Sequence, residues 1–587
     1  MSKLTGSMHV ARIASRHVDK SGEGREYVSH LLRRTYRADG KVKHETLANL
    51  SPLPEPAIEA VRACLAGKTL LVAGQDLEVI ASLPHGHVAA VAAQARALGL
   101  AALLGPACRQ RDLVLALIVA RVCRPGSKLA TTRWWVDTTL AHDLGVADAS
   151  TEEVYAALDW LAGRQDAIEA ELVGKHLTGP AHPHRLALFD LSSSWMTGRC
   201  CPLAARGYSR DGKKGLPQIE YGLLTDPDGR PVAVRVLAAN TADPAAFNLI
   251  ATELRAKFGL RDMVLVGDRG MITAARIEAL RELGGFGWVT ALRAPAIAAL
   301  AADDGPLQMS LFDQTSLAEI SHPDYPGERL IACRNPALAT ERARKRLALL
   351  DATDDGLATI AAAVQAGRLT GAAKIGIRTG KVIGTYTMEK HYTITITDTT
   401  FAFARNQAAI DAEAALDGSY VIRSPVPDTQ LTAAKVVATY KSLTHVERDF
   451  RSLKSIDLDL RPIHHYTETR VRAHVFLCTL AAYLLWHLRQ AWAPLTFTDE
   501  NRPEPTNPVA PARRSAAADR KAATKTTHDQ LPAHSFTSLL DHLATLTRNH
   551  LRIAGRDDTG FHLLANPTPT QRRAFQLLNA PIPMHLQ

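Results

Sequence analysis

Three acidic residues stand where a carboxylate has chemical use. Asp190 closes the apolar run Leu186-Ala187-Leu188-Phe189, and Asp268 follows Val264-Leu265-Val266 in the string Gly267-Asp268-Arg269-Gly270-Met271. A carboxylate at the end of a buried strand loses hydration, and a bound cation offsets that cost. Glycines on both sides of Asp268 let the backbone turn sharply and a bulky ligand approach. Either aspartate alone equally fits a turn or helix cap; two strand-end aspartates in one layer can meet at one edge. The third acid, Glu447, lies in YKSLTHVERDFRSLK, from Tyr440 to Lys454. Tyr440, Glu447 and Lys454 recur at about two helical turns, so one helix face presents a ring, a carboxylate and a cation, with Arg451 one turn past Glu447. The segment alone also fits a solvated helix with an i,i+4 Glu–Arg pair. Asp449, the nearest rival for the third position, points away from that stripe. Three hard oxygen donors suit Mg²⁺ or Mn²⁺ rather than zinc. Two such ions can stabilise both the attacking and the leaving oxygen of phosphoryl transfer.

The elements that must position these acids follow an α/β order. Arg185–Leu191 is a short apolar strand, and Ile219–Leu224 and Pro231–Leu237 are strands around the turn Thr225-Asp226-Pro227-Asp228-Gly229. Helix Ala242–Phe258, strand Asp262–Val266, helix Thr273–Leu283 and strand Gly287–Ala291 come next. That succession predicts a mixed sheet with helices. Residues 181–292 are thus the first part of an α/β layer and 416–495 its second part, with strand Tyr420–Arg423 and long helices over 433–455 and 468–486. Between them, 293–415 reads as an α+β insertion with helices Thr340–Leu350 and Gly356–Ala366 and strands Tyr392–Thr397 and Phe401–Arg405.

Ahead of the core, 1–85 is extended, with Asp39-Gly40 a hairpin signal between Tyr27–Tyr36 and Val42–Leu50. Its basic residues fit a solvated hairpin or a DNA-contacting edge equally. Residues 86–180 are helical. Pro125-Gly126 breaks the chain, Ser127 caps a helix through Leu140, and Ser150 to Glu153 form a capping box opening a helix towards His176. Arg121, Arg124, Lys128 and Arg133 cluster there, as a helix entering a DNA groove or a bundle with a solvated basic edge. The stretch 496–530, rich in Pro, Ala, Thr, Arg and Lys, reads as a disordered basic linker, and 531–587 as a helical C-terminal tail.

The 587 residues suit several domains, and a composition 46% hydrophobic and 22% charged suits packed cores. A net charge of +10 favours polyanionic partners. The 7 cysteines are scattered without a CxxC pair, against a disulfide framework or zinc module. No secretory signal is evident at Met1, and the apolar stretches Leu113–Val122 and Val475–Trp486 are short for a bilayer, so a cytoplasmic protein without a membrane partner is expected. No GxGxxG or Walker loop supports a nucleotide-cofactor enzyme.

The chain resembles the DDE transposases of bacterial insertion sequences, and most of all the large branch whose catalytic core carries an insertion. Asp190 in LALFDLSSS matches the family's first acid. Asp268 in VLVGDRGMI matches its second, with the Asp-Arg-Gly-Met element, and Glu447 its third, in the pattern Tyr-x2-Arg-x3-Glu-x6-Lys. Tyr440, Glu447 and Lys454 keep that spacing; Leu443 stands at the Arg position, where Arg451 is the replacement charge. GKVKHETLANLS, RPGSKLATTRWW, LDGSYVIRSP, RVRAHVFL and TPTQRRAFQLL extend the likeness over nearly the whole chain. The resemblance implies a ribonuclease-H-like core holding two Mg²⁺ ions, replaceable by Mn²⁺, at Asp190, Asp268 and Glu447. It implies binding of terminal inverted repeats and target DNA by an active homodimer, cleavage, and strand transfer by the freed 3′ hydroxyl. Tyr440, Arg451, Lys454 and Arg269 are the expected DNA contacts, and Tyr440 is not a covalent nucleophile. The alternatives are a cleavage-only nuclease of the same fold and a catalytically inactive regulator that binds DNA.

Overall fold

The computed structural model describes residues 6–18, 24–38, 40–68, 70, 76–178, 186–198, 200–207, 209–213, 215–239, 252–253, 256, 263–270, 272–302, 305–503, 507–555 and 560–586. The helix expected over Ala242–Phe258 falls outside them except for three residues. The chain divides into two compact units, Met1–Ser82 with Arg548–Leu564, and Leu83–Thr547 with Ala565–Gln587.

In the first unit the Asp-Gly signal marks a hairpin. Gly24–Ala38 runs antiparallel to Lys41–Asn49 with Ala38 opposite Lys41, and Gly40 takes a φ of 74° that a Cβ would strain. Ser7–Val18 pairs along the other edge of Gly24–Ala38. Helix Glu55–Leu65 starts behind Pro54, carries Pro56 in its first turn and buries Ile58. Strands Thr547–Ile553 and Phe561–Leu564 join Leu77–Pro84 in a second three-stranded sheet. The C-terminal segment therefore contributes strands as well as helices Phe536–Ala544 and Pro569–Leu577, a correction to the all-helical tail.

The second unit is built on an eight-stranded mixed sheet. Its order is Leu317–Ile320, Arg329–Arg334, Ser419–Ser424, Phe286–Ala291, Met263–Val266, Leu186–Trp195, Gln218–Thr225 and Pro231–Ala238. Leu186–Trp195, Met263–Val266 and Phe286–Ala291 are parallel neighbours, and the other pairings are antiparallel. Met263–Val266 and Gln218–Thr225 are buried on both faces, and Met263–Val266 is accordingly apolar throughout. Two strands from the segment expected as an insertion, Leu317–Ile320 and Arg329–Arg334, extend this sheet. The part with an apolar cluster of its own is narrower. There helix Pro336–Gln365, one 30-residue element rather than two, packs with helix Ala372–Tyr386 and hairpin Tyr392–Ile396/Phe401–Arg405 around Leu350, Leu357, Ile360, Ile375 and Ile410.

The helices ahead of the sheet are Gly86–Ala97, Arg109–Cys123, Lys128–Val136, Thr151–Ala162 and Gln165–Leu177, with short turns between. Ser127 caps Lys128–Val136, which ends before the expected Leu140, and Ser150 and Glu153 form the capping box. These helices are not a separate module. Their apolar faces pack with helix Glu468–Ala491, and residues from Val88 to Leu586 share one hydrophobic core with the sheet. Glu468–Ala491 is the one described helix long and apolar enough to cross a membrane, and 83% of its most apolar window is buried here against protein. The described part of 496–530 is folded around helix Ala516–Thr524, which Ser515 caps, and buried Lys521 donates to the carbonyls of Ala493, Thr496 and Thr498 and pairs with Glu500.

Candidate active site

Strand register brings the two aspartates abreast. Leu186 lies opposite Val264, Ala187 opposite Leu265 and Leu188 opposite Val266 in the parallel pair. Asp190 and Asp268 stand two residues beyond the paired Leu188 and Val266, and both line one cleft. Asp190 does not end its strand, which continues to Trp195 with Asp190 opposite Leu223. The strand that ends is its neighbour, and the gap left beyond Val266 opens beside Asp190. Gly267 N–H donates to Val289 O and Thr290 Oγ1 to Asp268 O, each at 3.1 Å, which pins the turn. Asp268 Oδ1 accepts from Gly270 N at 2.8 Å, and Asp190 Oδ1 from Leu191 N at 2.8 Å.

Glu447 arrives on a short helix. The expected continuous helix over 433–455 is broken at Ser442 into Ala433–Lys441 and Leu443–Arg451, followed by the π turn Ser452–Ile456. Leu443, Val446 and Phe450 are buried as Leu443–Arg451 packs on strand Leu186–Trp195, with Phe450 edge-on to Tyr221 at 5.7 Å. That packing leaves Glu447 exposed on the side facing the aspartates. Asp449 is buried on the other side.

Asp190, Asp268, Glu447, Tyr440 and Arg269 line one cleft of about 490 Å³. Burial pushes the Asp190 carboxyl up to about 7, with Asp268 and Glu447 adding repulsion and the Leu191 N–H and Arg210 opposing. Burial and then the negative charge of Asp268 push the Tyr440 phenol up to about 12, so at neutral pH it is a hydroxyl donor.

The other two expected DNA contacts lie elsewhere. Lys454 is buried in the π turn, donates to Asp211 Oδ1 at 2.8 Å and shares that carboxylate with Arg461. The wider π turn takes Lys454 off the stripe of Tyr440 and Glu447. Arg451 lines a neighbouring groove with Arg448, Trp486, Arg489 and Phe536, and its Nε reaches the Glu447 carbonyl at 3.4 Å, not the carboxylate.

Among the described residues no group of three or more His, Cys, Asp and Glu side chains is gathered closely enough to hold a metal ion. The donor set still fits one in kind: three hard oxygen ligands line a single cleft, and their mutual repulsion is what a divalent cation relieves.

Sequence reasoning missed Arg210, whose charge favours ionised Asp190. It also missed Asn335, Arg342 and Lys441, which line the cleft. Asn335 caps helix Pro336–Gln365 ahead of Pro336, a visible signal for the helix start but not for its place at the site.

The transposase DDE domain family matches residues 182–485, and the N-terminal domain of the IS1634 family transposases matches residues 16–74. No curated protein matches the chain. Among solved structures, the piggyBac transposase synaptic complex with hairpin DNA is similar at 8% identity over 74% of this chain and 70% of that one, with a TM-score of 0.28, a likeness too low to carry an argument. With the DDE domain spanning more than half of its length, the chain belongs to the DDE transposases of bacterial insertion sequences.

Proposed function

We propose that this transposase binds the terminal inverted repeats of its own element, cuts the DNA there and joins the freed ends to target DNA, with Asp190, Asp268 and Glu447 as the catalytic acids. The observation that carries this is the meeting of the three in one cleft, from positions far apart in the chain. The order of strands Pro231–Ala238, Gln218–Thr225, Leu186–Trp195, Met263–Val266 and Phe286–Ala291, three antiparallel and then parallel, supports a ribonuclease-H-like core with the first acid on its central strand. The separate apolar cluster within 350–410 supports an insertion into that core.

Asp190, Asp268 and Glu447 would hold Mg²⁺ or Mn²⁺, which supplies Lewis-acid stabilisation of the phosphate and a more acidic water. In the first step a water oxygen bonds to phosphorus and gives its proton to solvent as the P–O3′ bond breaks, and the departing 3′ oxygen takes up a proton to become a hydroxyl. In the second, the 3′ hydroxyl oxygen gives up its proton and bonds to a target phosphorus, the target P–O3′ bond breaks, and the displaced 3′ oxygen takes up a proton. Arg269 and Arg342 at the cleft bring positive charge to the backbone phosphates, and the protonated Tyr440 donates a hydrogen bond rather than attacking. Lys454 acts indirectly, by holding the π turn against Asp211, and Arg451 contacts DNA along the neighbouring groove. The active complex is a homodimer on double-stranded DNA in the cytoplasm.

A donor plasmid carrying the chain's own insertion sequence tests this. Asp190→Asn, Asp268→Asn and Glu447→Gln should each lower Mg²⁺-dependent cleavage at least about a hundredfold while DNA binding persists. Cleavage by Asp190→Asn at the wild-type rate would overturn the assignment. Pre-cut ends joined to a target plasmid separate a transposase from a cleavage-only nuclease, and binding without cleavage by the wild type marks a regulator.

A further inference from the structure

A second cleft, of about 260 Å³ and sharing no lining residue with the first, is walled by Arg121, Ser127, Lys128, Tyr155, His465 and His474. Arg121 and Lys128 are each only 4% exposed. Among the described residues neither makes an ion pair, and their hydrogen-bond partners are neutral. Arg121 Nη1 donates to the Leu458 carbonyl at 3.3 Å, and Lys128 Nζ meets His474 Nδ1 at 3.1 Å. His474 Nε2 faces the Leu460 carbonyl at 3.1 Å and must donate to it, so Nδ1 is the bare acceptor and the ring is uncharged. Burial holds His474 well below its usual range, in keeping with that tautomer. His465 lies 5.0 Å from His474, ring to ring, and is lowered to about 3, again mainly by burial. Asp459, on the same cleft, pairs with neither cation.

Burial, and then the charge of Arg121, lowers the Lys128 ammonium to about 7, and an anionic ligand would supply the counter-charge that holds both groups as cations. The cleft also holds the N-terminus of helix Lys128–Val136, where Ser127 Oγ accepts from Ala130 N at 3.1 Å and the helix dipole favours an anion. Part of its wall is the loop that leaves the helix bearing Glu447, since Asp459, Pro462 and His464 line it too.

We infer that this cleft is a phosphate site, seating a phosphate of the DNA backbone away from the scissile bond. The inference rests on the DNA-processing function proposed above. Arg121 and Lys128 supply charge, the helix N-terminus supplies oriented dipoles, and the histidines stay neutral and hold Lys128 in place.

The test measures binding of the full chain to a fluorescent 40-base-pair duplex across a salt series. Lys128→Met removes the charge and keeps the apolar stem. Leu129→Glu, at a 47% exposed position on the cleft mouth, adds an opposing charge without disturbing the buried groups. Each should weaken binding about three- to tenfold, and Lys128→Met should flatten the slope of log K against log salt by about 0.9, the loss of one phosphate contact. Melting of Lys128→Met should be unchanged or higher, because a buried amine gives way to an apolar side chain. Wild-type affinity and slope in both variants would overturn the inference and leave the catalytic proposal standing; absence of duplex binding by the wild type would sink the catalytic proposal first. If inorganic phosphate raises the melting temperature of the wild type but not of Lys128→Met, while duplex binding is the same in both, the site takes a free anion and the DNA assignment is overturned. Should Lys128→Met fail to fold, Leu129→Glu alone decides.

Discussion

Asp190 carries a charge that folding makes costly. Its carboxyl is raised in the folded chain from an ordinary 3.8 to about 7, first by burial and then by Asp268. Between those values the folded state binds more protons than the unfolded state, so without divalent ions stability falls as pH rises from about 4 to 7. A shift of that size is worth at most about 4 kcal/mol at about 1.4 kcal/mol per unit. Asp190→Asn should therefore raise stability towards urea at pH 8 in the presence of a chelator, by about 1 to 4 kcal/mol, and change little at pH 4. Mg²⁺ should stabilise the wild type at pH 8 and not the variant. A variant no more stable than the wild type at pH 8 would show that Asp190 is not held under this repulsion.

At the scale of elements, the helix bearing Glu447 is located by the turn Asp226–Gly229. His445 Nδ1 meets the Pro227 carbonyl at 3.1 Å, and Gly229 sits at φ 83° with an added Cβ only 2.6 Å from His445 Cβ. Gly229→Ala meets both a backbone penalty and a clash, so a loss of roughly 2 kcal/mol or more is expected, with DNA cleavage falling further than DNA binding. Urea unfolding and the cleavage assay check the two parts, and unchanged values would show that the turn does not brace the helix. The turn itself was legible, because Asp-Pro-Asp-Gly between two apolar strands has a local cause. The break at Ser442 and the π turn at Ser452–Ile456 were not, since every residue from Ala433 to Ser455 is compatible with a helix and the packing of Leu443, Val446 and Phe450 decides the path. For the same reason Lys454 was placed on the wrong face.

At the scale of the molecule, helix Glu468–Ala491 joins the leading helices to the sheet. It packs on Thr151–Ala162, Arg109–Cys123 and strand Pro231–Ala238. Leu484, fully buried in it, should cost about 2 to 5 kcal/mol when cut back to Ala and should lower the main thermal transition. Leu357→Ala, in the separate cluster around helix Pro336–Gln365, should instead speed hydrogen exchange within 336–414 and spare the main transition. Both changes acting on one transition alike would refute a separate cluster. The four basic residues read as one group also divide at this scale: Arg121 and Lys128 are buried, while Arg124 and Arg133 stay exposed.

The alternation of strands and helices around the three acids, the Asp-Gly hairpin and the Ser150 capping box were all readable from the chain. Each rests on short-range causes: apolar periodicity, glycine's freedom at positive φ, and hydroxyl caps. Tertiary structure alone decided which strand stops beside Asp190, that Leu317–Ile320 and Arg329–Arg334 extend the main sheet, that helix Ala516–Thr524 docks through a buried Lys521, and that Arg121 and Lys128 go inside. Those outcomes depend on contacts between residues far apart in sequence, where burial and counter-charge are set by neighbours that no local pattern names.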